Sequence, residues 1–554
     1  MHKFIFMPKT FTFYTAFVLL LFTSVSSFGQ GKAQAFEISK NLDIYATLFK
    51  ELNNNYVDEI NPGELNTAAL DAMLETLDPY TVYIPESKIE EVKFLTTGEY
   101  GGIGLSVIKR DDKVIISMIQ SESPALESGL LAGDEIISVD EQVLADRTDE
   151  EISMLLKGQP GTSIDMKISR SGNGDVFHKD VTRRKINIDA VPYYGMLDSS
   201  IAYLNLTSFT KKSAQKVAAA FTELKKENPQ GLIFDLRGNG GGLMGEAVDI
   251  MNLFVNKDIE IVRTKSRLRE KNYIYKTRKN ALDTIIPIVF LVDRNSASAS
   301  EIVSGSAQDL DRAVIIGERT YGKGLVQNVV PLSFNSQFKV TIAKYYIPSG
   351  RCVQAIDYSH KDDEGNPIAV NDSLLEEFKT KNGRSVYDGR GIKPDILLTP
   401  MEVSDIEKTL MEKYYIFDFS TQYRLTHDSI APPDKFTISN EIWNSFLDFL
   451  KNKDITYKSE VEKKFNSFKE QAEEDDMLNE FQDVCVQIQK QIDEQKKLEF
   501  EENQDRIKRI LKTDLVSRYY FTRGVIITNL HQDKAIAKAI ELLHDTEKYH
   551  QILN

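Results

Sequence analysis

The segment from residue 186 to residue 400 constrains the fold most, because short apolar runs alternate there with stretches of helical periodicity. Ile201–Leu206 is typical of a strand, Ser213–Glu227 of a helix with one apolar face, and Gly231–Leu236 of the next strand. The alternation continues through a helix, a strand, a further helix and a further strand, at residues 244–254, at 288–292, from 298 onward and at 313–317. This order predicts crossover connections and an α/β core whose central sheet is covered by helices.

The regions on either side have different textures. Residues 31–95 show helical spacing, residues 96–185 consist of short β-runs separated by glycine and proline, and residues 401–554 are charge-rich and mostly helical in pattern. A chain of 554 residues suggests three or four domains at roughly 100–200 residues each. We therefore predict a multidomain α/β protein with a helical N-terminal region, a β domain, an α/β core and a helical C-terminal extension.

Composition excludes several classes of function. The chain carries 83 acidic and 68 basic residues, a net charge of −15, which argues against a protein that binds the phosphate backbone of nucleic acids. Its two cysteines exclude a disulfide framework, and its seven histidines are scattered without the spacing of a zinc site. We therefore predict neither a metal nor a cofactor.

The first thirty residues have the order of a secretory signal. Lys3 and Lys9 precede an uncharged stretch whose densest part, residues 16–22, is wholly apolar, and small residues follow. A retained membrane anchor is the alternative, although threonines and serines dilute the stretch. Either interpretation predicts that the rest of the chain is exported.

A glycine-rich segment follows one predicted strand and precedes a predicted helix. Residues 235–242 read Asp-Leu-Arg-Gly-Asn-Gly-Gly-Gly, so backbone N–H groups can face a ligand beside a helix N-terminus. The ending of a nucleotide P-loop is absent, whereas Gly240-x-Gly242-x-x-Gly245 does match the dinucleotide fingerprint. The crowding of four glycines into five positions favours an oxyanion-stabilising loop over a dinucleotide site or a plain tight turn.

A second segment, residues 295–302, also follows an apolar strand and begins a helix. It reads Asn-Ser-Ala-Ser-Ala-Ser-Glu-Ile. A single serine at a helix start would be explained as an N-cap, but three alternating serines exceed what one cap needs. We interpret this segment as the carrier of a nucleophilic serine, which requires a base.

The usual base is missing, because no histidine lies between His178 and His360. Lysine serves where burial lowers its pKa towards neutrality. Lys323, between two glycines in residues 317–327, is the candidate, although spacing alone leaves a solvated surface charge as the alternative. A cysteine nucleophile at Cys352 is disfavoured, because a free cysteine is more often a small buried hydrophobic residue.

These three segments, in this order, resemble the signatures of the carboxyl-terminal processing peptidases, also called tail-specific proteases. Residues 78–83 are similar to the segment ahead of the family's PDZ domain, and residues 101–107 with 129–139 resemble that domain. Residues 345–351 and 391–395 resemble the family's closing strands. The resemblance covers roughly residues 40 to 400 and fades beyond them.

The resemblance implies a role for each matching residue. Ser298, the middle serine, would be the nucleophile, Lys323 the general base and Gln327 the residue that assists the lysine. The backbone N–H groups of Gly242 and Ala299 would form the oxyanion hole. The implied reaction is peptide hydrolysis through an acyl-enzyme.

The PDZ resemblance implies how substrates are chosen. The loop Gly102-Ile103-Gly104-Leu105 resembles one that holds a peptide's terminal carboxylate on backbone N–H groups while the peptide adds a strand to a sheet edge; a plain turn is the alternative. The resemblance further implies that this domain gates the active site.

We predict five regions along the chain. They are a signal peptide (residues 1–30), a helical N-terminal region (31–95), a PDZ domain (96–185), a serine protease core (186–400) and a helical C-terminal extension (401–554).

Two functions of different classes remain open. One is an exported, periplasmic serine endopeptidase that recognises protein C-terminal tails, and the other is a non-catalytic PDZ binding or chaperone protein of the cell envelope. The presence of Ser298, Lys323 and Gln327 favours the first. The expected partners are proteins or peptides with accessible C-termini, and three roles stay open for residues 401–554: packing on the protease, self-association and binding of an envelope adaptor.

Overall fold

The computed structural model describes residues 34–170, 174–362, 364–370, 375–400, 402–457 and 459–554. The chain divides into two compact units between Tyr83 and Ile84. The predicted signal segment, residues 1–30, lies outside the described residues. Within the described ranges, no helix combines the length and the apolar character needed to cross a lipid bilayer.

The first unit is helical, as the periodicity predicts. Helix α1 covers residues 34–55 and α2 covers Pro62–Glu75. Asn61 caps α2 through its side-chain oxygen, which accepts bonds from two N–H groups of the first turn, and Pro62 occupies the first helical position. The helix ends before Asp78-Pro79, where the sequence predicts a stop.

The second unit begins with a β-rich region that follows the short strand β1 (Val82–Ile84) and helix α3 (Ile89–Thr97). Its elements are β2 (Glu99–Gly102), β3 (Leu105–Arg110), β4 (Lys113–Ile119), α4 (Pro124–Glu127), β5 (Glu135–Val139), β6 (Gln142–Val143), α5 (Asp149–Leu156), β7 (Ser163–Arg170), β8 (Asp175–Thr182) and β9 (Arg184–Asn187). The main sheet has the antiparallel order β3-β4-β5-β7-β8, with β6 beside β5, and β2 pairs separately with β9. Strand β3 is therefore an edge strand, which is what strand addition by a peptide requires.

The α/β region confirms the predicted alternation. Its elements are β10 (Tyr193–Met196), β11 (Ile201–Asn205), α6 (Ser213–Leu224), β12 (Gly231–Asp235), α7 (Met244–Met251), β13 (Glu260–Lys265), β14 (Ile274–Lys276), β15 (Ile288–Val292), α8 (Ala299–Asp309), β16 (Val314–Gly317), β17 (Leu325–Pro331), β18 (Gln337–Tyr346), β19 (Ile356–Lys361), β20 (Pro367–Ala369), β21 (Glu377–Lys379), β22 (Ser385–Tyr387) and β23 (Ile396–Leu397). The central sheet has the order β10-β11-β12-β15-β16-β23 and is parallel except between β10 and β11. A smaller antiparallel sheet contains β13, β14, β17 and β18.

The C-terminal extension is helical, as predicted. Its helices are α9 (Asp405–Glu412), α10 (Tyr415–Thr426), α11 (Asn440–Leu450), α12 (Glu460–Glu474), α13 (Leu478–Glu502), α14 (Gln504–Leu530), α15 (Lys534–His544) and α16 (Thr546–Leu553). Apolar side chains of α9, α10, α11 and α14 form one core of their own. Helices α12 and α13 form a second, small cluster that includes the buried Cys485.

The two faces of the central sheet are covered by different parts of the chain. Side chains alternate between faces along each strand, so Phe234 packs against α6, α7 and α8 while its neighbour Ile233 packs on the opposite face. That opposite face is covered by α15 and α16, through residues such as Ile536 and Leu542. The end of the extension is thus one layer of the protease core, so packing on the protease is a role of residues 401–554.

Candidate active site

Ser298 lies in the turn between β15 and α8, at the carboxyl edge of the central sheet. Its φ of 55° and ψ of −111° are unusual for any residue other than glycine. Such strain persists only where surrounding contacts impose it, and it is concentrated at functional sites. Its neighbours in the serine motif, Ala297 and Ala299, are buried whereas Ser298 is partly exposed, so Ser298 is the serine of the motif that a substrate can reach.

The two outer serines of the motif are buried and bind the glycine-rich segment. Ser296 donates from Oγ to the carbonyl oxygen of Leu236 at 2.9 Å, and Ser300 donates from Oγ to the carbonyl oxygen of Asn239 at 2.8 Å. The backbone N–H of Ala297 also donates to Asn239, at 3.0 Å. Ser296 and Ser300 therefore join the serine turn to residues 235–242, which we call the glycine loop.

Glycine is required in this loop by close backbone approach. Gly241 has a φ of 101°, and a Cβ there would lie 2.7 Å from the carbonyl oxygen of Ala297 and 2.9 Å from the nitrogen of Ala299. Gly242 has a φ of 144°, and its Cβ would lie 2.5 Å from the carbonyl oxygen of Phe209. The two residues predicted to form the oxyanion hole, Gly242 and Ala299, consequently lie on backbone segments that are in contact.

Glu301 connects the serine turn to the segment that carries Lys323. Its Oε2 accepts from the backbone N–H groups of both Ser298 and Lys323, each at 2.8 Å. Its Oε1 accepts from the Thr320 hydroxyl at 2.6 Å and from the Gly322 N–H at 2.7 Å. The backbone nitrogens of Ser298 and Lys323 are therefore both within hydrogen-bonding distance of one carboxylate oxygen.

The other predicted residue of this segment, Gln327, lies on β17. Its Nε2 donates to the hydroxyl of Thr341 on the neighbouring strand β18, at 3.3 Å. Lys323 itself is half-buried, in the connection between β16 and β17. Behind Ser298, the buried Tyr345 donates its hydroxyl to the Ser298 carbonyl oxygen at 3.2 Å. The structure thus brings Ser298, the Lys323 segment and the glycine loop to one edge of the sheet.

Burial dominates the electrostatics of Glu301, which is 0% exposed. Burial raises the pKa of its carboxyl group above the usual value, and the bonds from Thr320, Lys323, Ser298 and Gly322 act in the opposite direction. Four donors converge on the two carboxylate oxygens, which is an arrangement that the ionised form accepts fully. Glu301 therefore holds the two loops together at the cost of desolvating its carboxyl group.

Cys352 does not have the properties of a nucleophile. Burial raises the pKa of its thiol, so the reactive thiolate is disfavoured at neutral pH. This agrees with the sequence analysis, in which the cysteine alternative was already disfavoured.

Sequence reasoning did not assign roles to Glu301 and Asn239. Asn239 is buried, donates from Nδ2 to the carbonyl oxygen of Leu206 at 2.8 Å and accepts from the Gly241 N–H at 2.9 Å. A local signal for Glu301 was present, because Ser298-x-x-Glu301 is the signature of a capping box. The bond from Asn239 to Leu206 has no comparable signal, because Leu206 follows a strand 33 residues earlier in the chain.

A groove in the β-rich region contains most of the predicted carboxylate-binding loop. A cavity of about 210 Å³ lies between β3 and α5, lined by Tyr100, Ile103, Gly104, Leu105, Ser106, Val107, Asp149, Ser153, Leu156 and Lys157. The carbonyl oxygens of Ile103 and Gly104 accept from Ala125 and Gln120, each at 2.9 Å, which fixes the loop from behind. Gly102 does not line the cavity; it ends β2, paired with Arg184.

Three segments of the chain match models of known families. Residues 200–360 match peptidase family S41, residues 101–181 match the PDZ domain, and residues 406–543 match the C-terminal helical domain of probable PDZ-proteases.

Similar proteins extend this match. A carboxy-terminal-processing protease of Bartonella bacilliformis is 33% identical over 344 residues, which cover 61% of this chain and 77% of that protein. The carboxy-terminal processing protease CtpB of Bacillus subtilis is 30% identical over 320 residues, covering 57% of this chain and 66% of that protein. Among solved structures, the photosystem II D1 C-terminal processing protease is similar, with 25% identity, a TM-score of 0.35, and coverage of 64% of this chain and 92% of that one.

Proposed function

Because this chain belongs to the family of carboxy-terminal processing proteases, and is thus a serine peptidase with a PDZ domain, we propose that Ser298 and Lys323 form its catalytic dyad and that Gln327 orients Lys323. One observation carries this proposal: a single buried oxygen of Glu301 accepts from the backbone N–H groups of Ser298 and Lys323. Two segments that are joined in this way keep a fixed relative position, which a dyad requires.

Acylation follows from these positions. The uncharged amine of Lys323 takes the proton of the Ser298 hydroxyl as Oγ attacks the carbonyl carbon of the scissile peptide bond. The tetrahedral intermediate collapses with cleavage of the C–N bond, and the Lys323 ammonium gives its proton to the leaving amine. The product of this half-reaction is an ester between Ser298 and the N-terminal part of the substrate.

Deacylation repeats the same steps with water. Lys323 takes a proton from a water molecule whose oxygen adds to the ester carbon, and collapse of the second intermediate returns the proton to Ser298 Oγ. The free carboxylate of the shortened protein then leaves. Each proton taken by Lys323 is given back within the same half-reaction, so the enzyme is regenerated unchanged.

The oxyanion hole is proposed at the start of α8. Ala299 is the first residue of that helix, so its N–H has no acceptor within the helix and lies where the helix dipole is positive. Gly242 supplies the second N–H from a conformation that other residues rarely adopt. Two donors fixed before the reaction stabilise the developing charge without having to reorganise.

Tail recognition is proposed for the groove beside β3. The substrate's last residues add to the open edge of β3, and the N–H groups of Ile103, Gly104 and Leu105 bind the terminal carboxylate. The apolar lining from Tyr100, Leu105 and Leu156 favours an apolar last side chain.

The proposal also includes the location of the protein in the cell and the limits of its domains. A signal peptide over residues 1–30 exports the chain to the bacterial cell envelope, where it acts on proteins with accessible C-termini. The mature chain then consists of the helical region, the PDZ domain, the protease core and the extension, at residues 31–95, 96–185, 186–400 and 401–554. The basic, apolar and small-residue order of the first thirty residues supports the export step.

Degradation of an unfolded protein tests the dyad. Full-length protein should degrade casein, and S298A and K323A should both abolish this activity, while S296A, at a buried serine whose hydroxyl binds Leu236 and Asp293, should retain a measurable fraction. If S298A and K323A cleave casein like the parent protein, the dyad assignment is wrong. If the parent protein itself does not degrade casein, the alternative of a non-catalytic binding protein is favoured.

Deletion of residues 96–185 tests whether the PDZ domain gates the site. A substrate with an amidated C-terminus cannot use the carboxylate-binding loop, so the loss of tail binding does not affect its cleavage. If the PDZ domain gates the site, the deletion should therefore change the rate at which this substrate is cleaved. An unchanged rate on the amidated substrate would contradict gating and leave only a tethering role.

A further inference from the structure

The connection between α14 and α15 brings an acidic side chain of the C-terminal extension to the base of the glycine loop. Asp533 precedes α15, and its Oδ1 accepts from the N–H groups of Ala535 and Ile536, at 2.8 and 3.1 Å, as an N-cap does. Its Oδ2 accepts from Nη1 of Arg237 at 2.6 Å. One carboxylate therefore joins the start of a helix to an arginine of the glycine loop.

Arg237 is held from two sides. Its Nε and Nη2 donate to the carboxylate of Asp235, at 2.9 Å to Oδ1 and 2.6 Å to Oδ2, and the hydroxyl of Tyr203 donates to the same Oδ2 at 2.8 Å. Asp235 is the last residue of β12 and is buried. Asp533 completes this arrangement from the other side of the guanidinium, so Arg237 lies between a strand end and a helix start.

Arg237 lies at the point where the glycine loop leaves the sheet. The next residue, Gly238, donates its N–H to Asp293 at 3.0 Å, and Asn239 after it accepts from Ala297 and Ser300 of the serine turn. A shift of Arg237 is therefore passed to the residues that carry the Gly242 N–H.

The helix behind Asp533 is a rigid support. Ile536, Ala539 and Leu542 of α15 are buried against the central sheet, and Tyr549 of α16 both accepts from the N–H of Ile288 and donates to its carbonyl oxygen. Packing of this kind resists displacement, because interiors are close-packed and transmit strain. Asp533 is consequently fixed relative to the sheet, independently of the loop it binds.

We propose that Asp533 is a positioning residue for peptide hydrolysis: through Arg237 it holds the glycine loop where Gly242 can donate to the oxyanion. The C-terminal extension thus contributes to the geometry of the active site through a contact with the glycine loop. This inference rests on the proposed function, since it presupposes that the Gly242 N–H lies in the oxyanion hole.

The decisive variant is D533N, because asparagine also caps helices well and therefore preserves α15 while removing the charge that binds Arg237. We expect kcat for a peptide substrate to fall about tenfold while KM stays within about twofold, since the interaction acts on the transition state and not on substrate binding. The affinity for a peptide boronic acid, which occupies the oxyanion hole as a tetrahedral adduct, should fall in parallel with kcat. The melting temperature should stay close to that of the parent protein.

The matched control is D545N, which alters the N-cap carboxylate of the neighbouring helix α16. Asp545 accepts from the Lys548 N–H at 3.0 Å, so this variant reproduces the change at a helix start. Its kcat and boronic acid affinity should equal those of the parent protein. Equal losses in D533N and D545N, or an unchanged kcat in D533N, would overturn the proposal.

A double-mutant cycle and S298A separate the possible failures. In R237Q the partner of Asp533 is already absent, so adding D533N should lower kcat no further. An additional loss in R237Q/D533N would show that Asp533 acts by another route and would contradict positioning through Arg237. If S298A still hydrolyses the peptide, the proposed function itself fails; if S298A is inactive and D533N retains full kcat, only the role of Asp533 fails.

Discussion

At the proposed catalytic site, three chain segments are joined by buried polar side chains, whereas one side of the PDZ groove is formed by β3, the end strand of its sheet. The Glu301 carboxylate accepts from the serine turn and from the Lys323 segment, and the Ser300 hydroxyl donates to the Asn239 carbonyl oxygen of the glycine loop. In the groove, β3 is the end strand of its sheet and the cavity lining is largely apolar. The first site has its loops joined within the protein, whereas the second has a strand edge that we propose is completed by the substrate's own backbone.

This difference follows from what each site must do. A site that stabilises a transition state gains from donors held in place in advance, and buried networks hold them at the cost of desolvating charge. A groove that accepts many tails gains from main-chain bonds, which every peptide can form. Changes at the catalytic site should therefore act on kcat, and changes in the groove on KM.

The largest expected effect is that of E301Q. An amide in place of the carboxylate turns an NH₂ group towards one pair of N–H or O–H donors, so at least one pair loses its acceptor. We expect kcat to fall about 100-fold, since misplacement of one segment by an ångström has this scale of effect, and stability to fall by about 1–3 kcal/mol. Peptide hydrolysis and thermal unfolding measure the two changes.

The helical extension offers a matched control for E301Q. Glu407 is also buried at the third position of a helix, accepts from the Ser404 N–H at 2.8 Å and binds Arg506 at 2.7 Å. E407Q should lose stability but keep kcat. If both variants lose kcat to the same extent, the loss reflects general destabilisation and the distinction between the two sites is weakened.

The pH dependence of stability supplies a second effect at the same residue. Burial raises the pKa of Glu301 in the folded protein, so the folded state binds a proton more readily than the unfolded state. Its contribution to the unfolding free energy is therefore fully present below the unfolded pKa of about 4.3 and is lost as the pH rises through the folded pKa. Chemical denaturation between pH 4 and 8 should show the difference between parent and E301Q shrinking as the pH rises; a growing difference would contradict the raised pKa.

Much of the catalytic site can be predicted from sequence because it depends on parallel strands. The glycine loop, the serine turn and the Lys323 segment each follow a strand of the central sheet, and parallel strands bring their carboxyl ends to one edge. Once the alternation of strands and helices is recognised, the meeting of these three segments is expected. Their order along the chain, together with the family resemblance, then indicates the residues that we propose as catalytic.

What could not be predicted depends on which distant segments pack together. Ser298-x-x-Glu301 predicts only a helix cap, whereas the bonds from Glu301 to Thr320 and Gly322 depend on the path of a loop some twenty residues later. The pattern of α15 likewise shows an apolar face without showing that the central sheet is its partner. The sheet of β13, β14, β17 and β18 is not predicted, because most of β17 and β18 is only partly buried and these strands lack the continuous apolar runs of the central sheet.

An effect confined to substrate binding is expected for S153D. Ser153 lines the groove on α5, and a carboxylate there would repel the terminal carboxylate of a bound tail. We expect KM for a tailed peptide to rise about three- to tenfold with kcat unchanged, because exposed like charges repel by about 1 kcal/mol at short range. Fluorescence anisotropy with the same peptide, free and amidated at its C-terminus, measures the change in affinity.

The neighbouring residue on α5 provides the control for S153D. Met154 is 57% exposed and does not line the groove, so M154D adds the same charge to the same helix outside the groove. Its affinity for the tailed peptide should stay near that of the parent protein. If M154D weakens binding as much as S153D, the charge acts on the whole domain and the groove is not the tail site.

The smallest expected effect concerns the far end of β3, the strand that we propose receives the tail. Arg110 ends β3 and forms two hydrogen bonds with Asp418 of α10, at 2.8 and 3.1 Å, with side chains 34% and 23% exposed. A pair so accessible to water contributes about 0.2–1 kcal/mol to stability, so R110Q should increase amide hydrogen exchange in β3 by up to about fivefold while kcat stays unchanged.

The matched control is K113Q. It breaks a pair within the PDZ domain itself, Lys113 to Glu135 at 2.8 Å, and leaves the contact with the extension intact. A large loss of kcat in R110Q but not in K113Q would show that catalysis depends on the contact between the PDZ domain and the extension. The contrast between a fixed catalytic site and a loosely attached tail site would then be wrong.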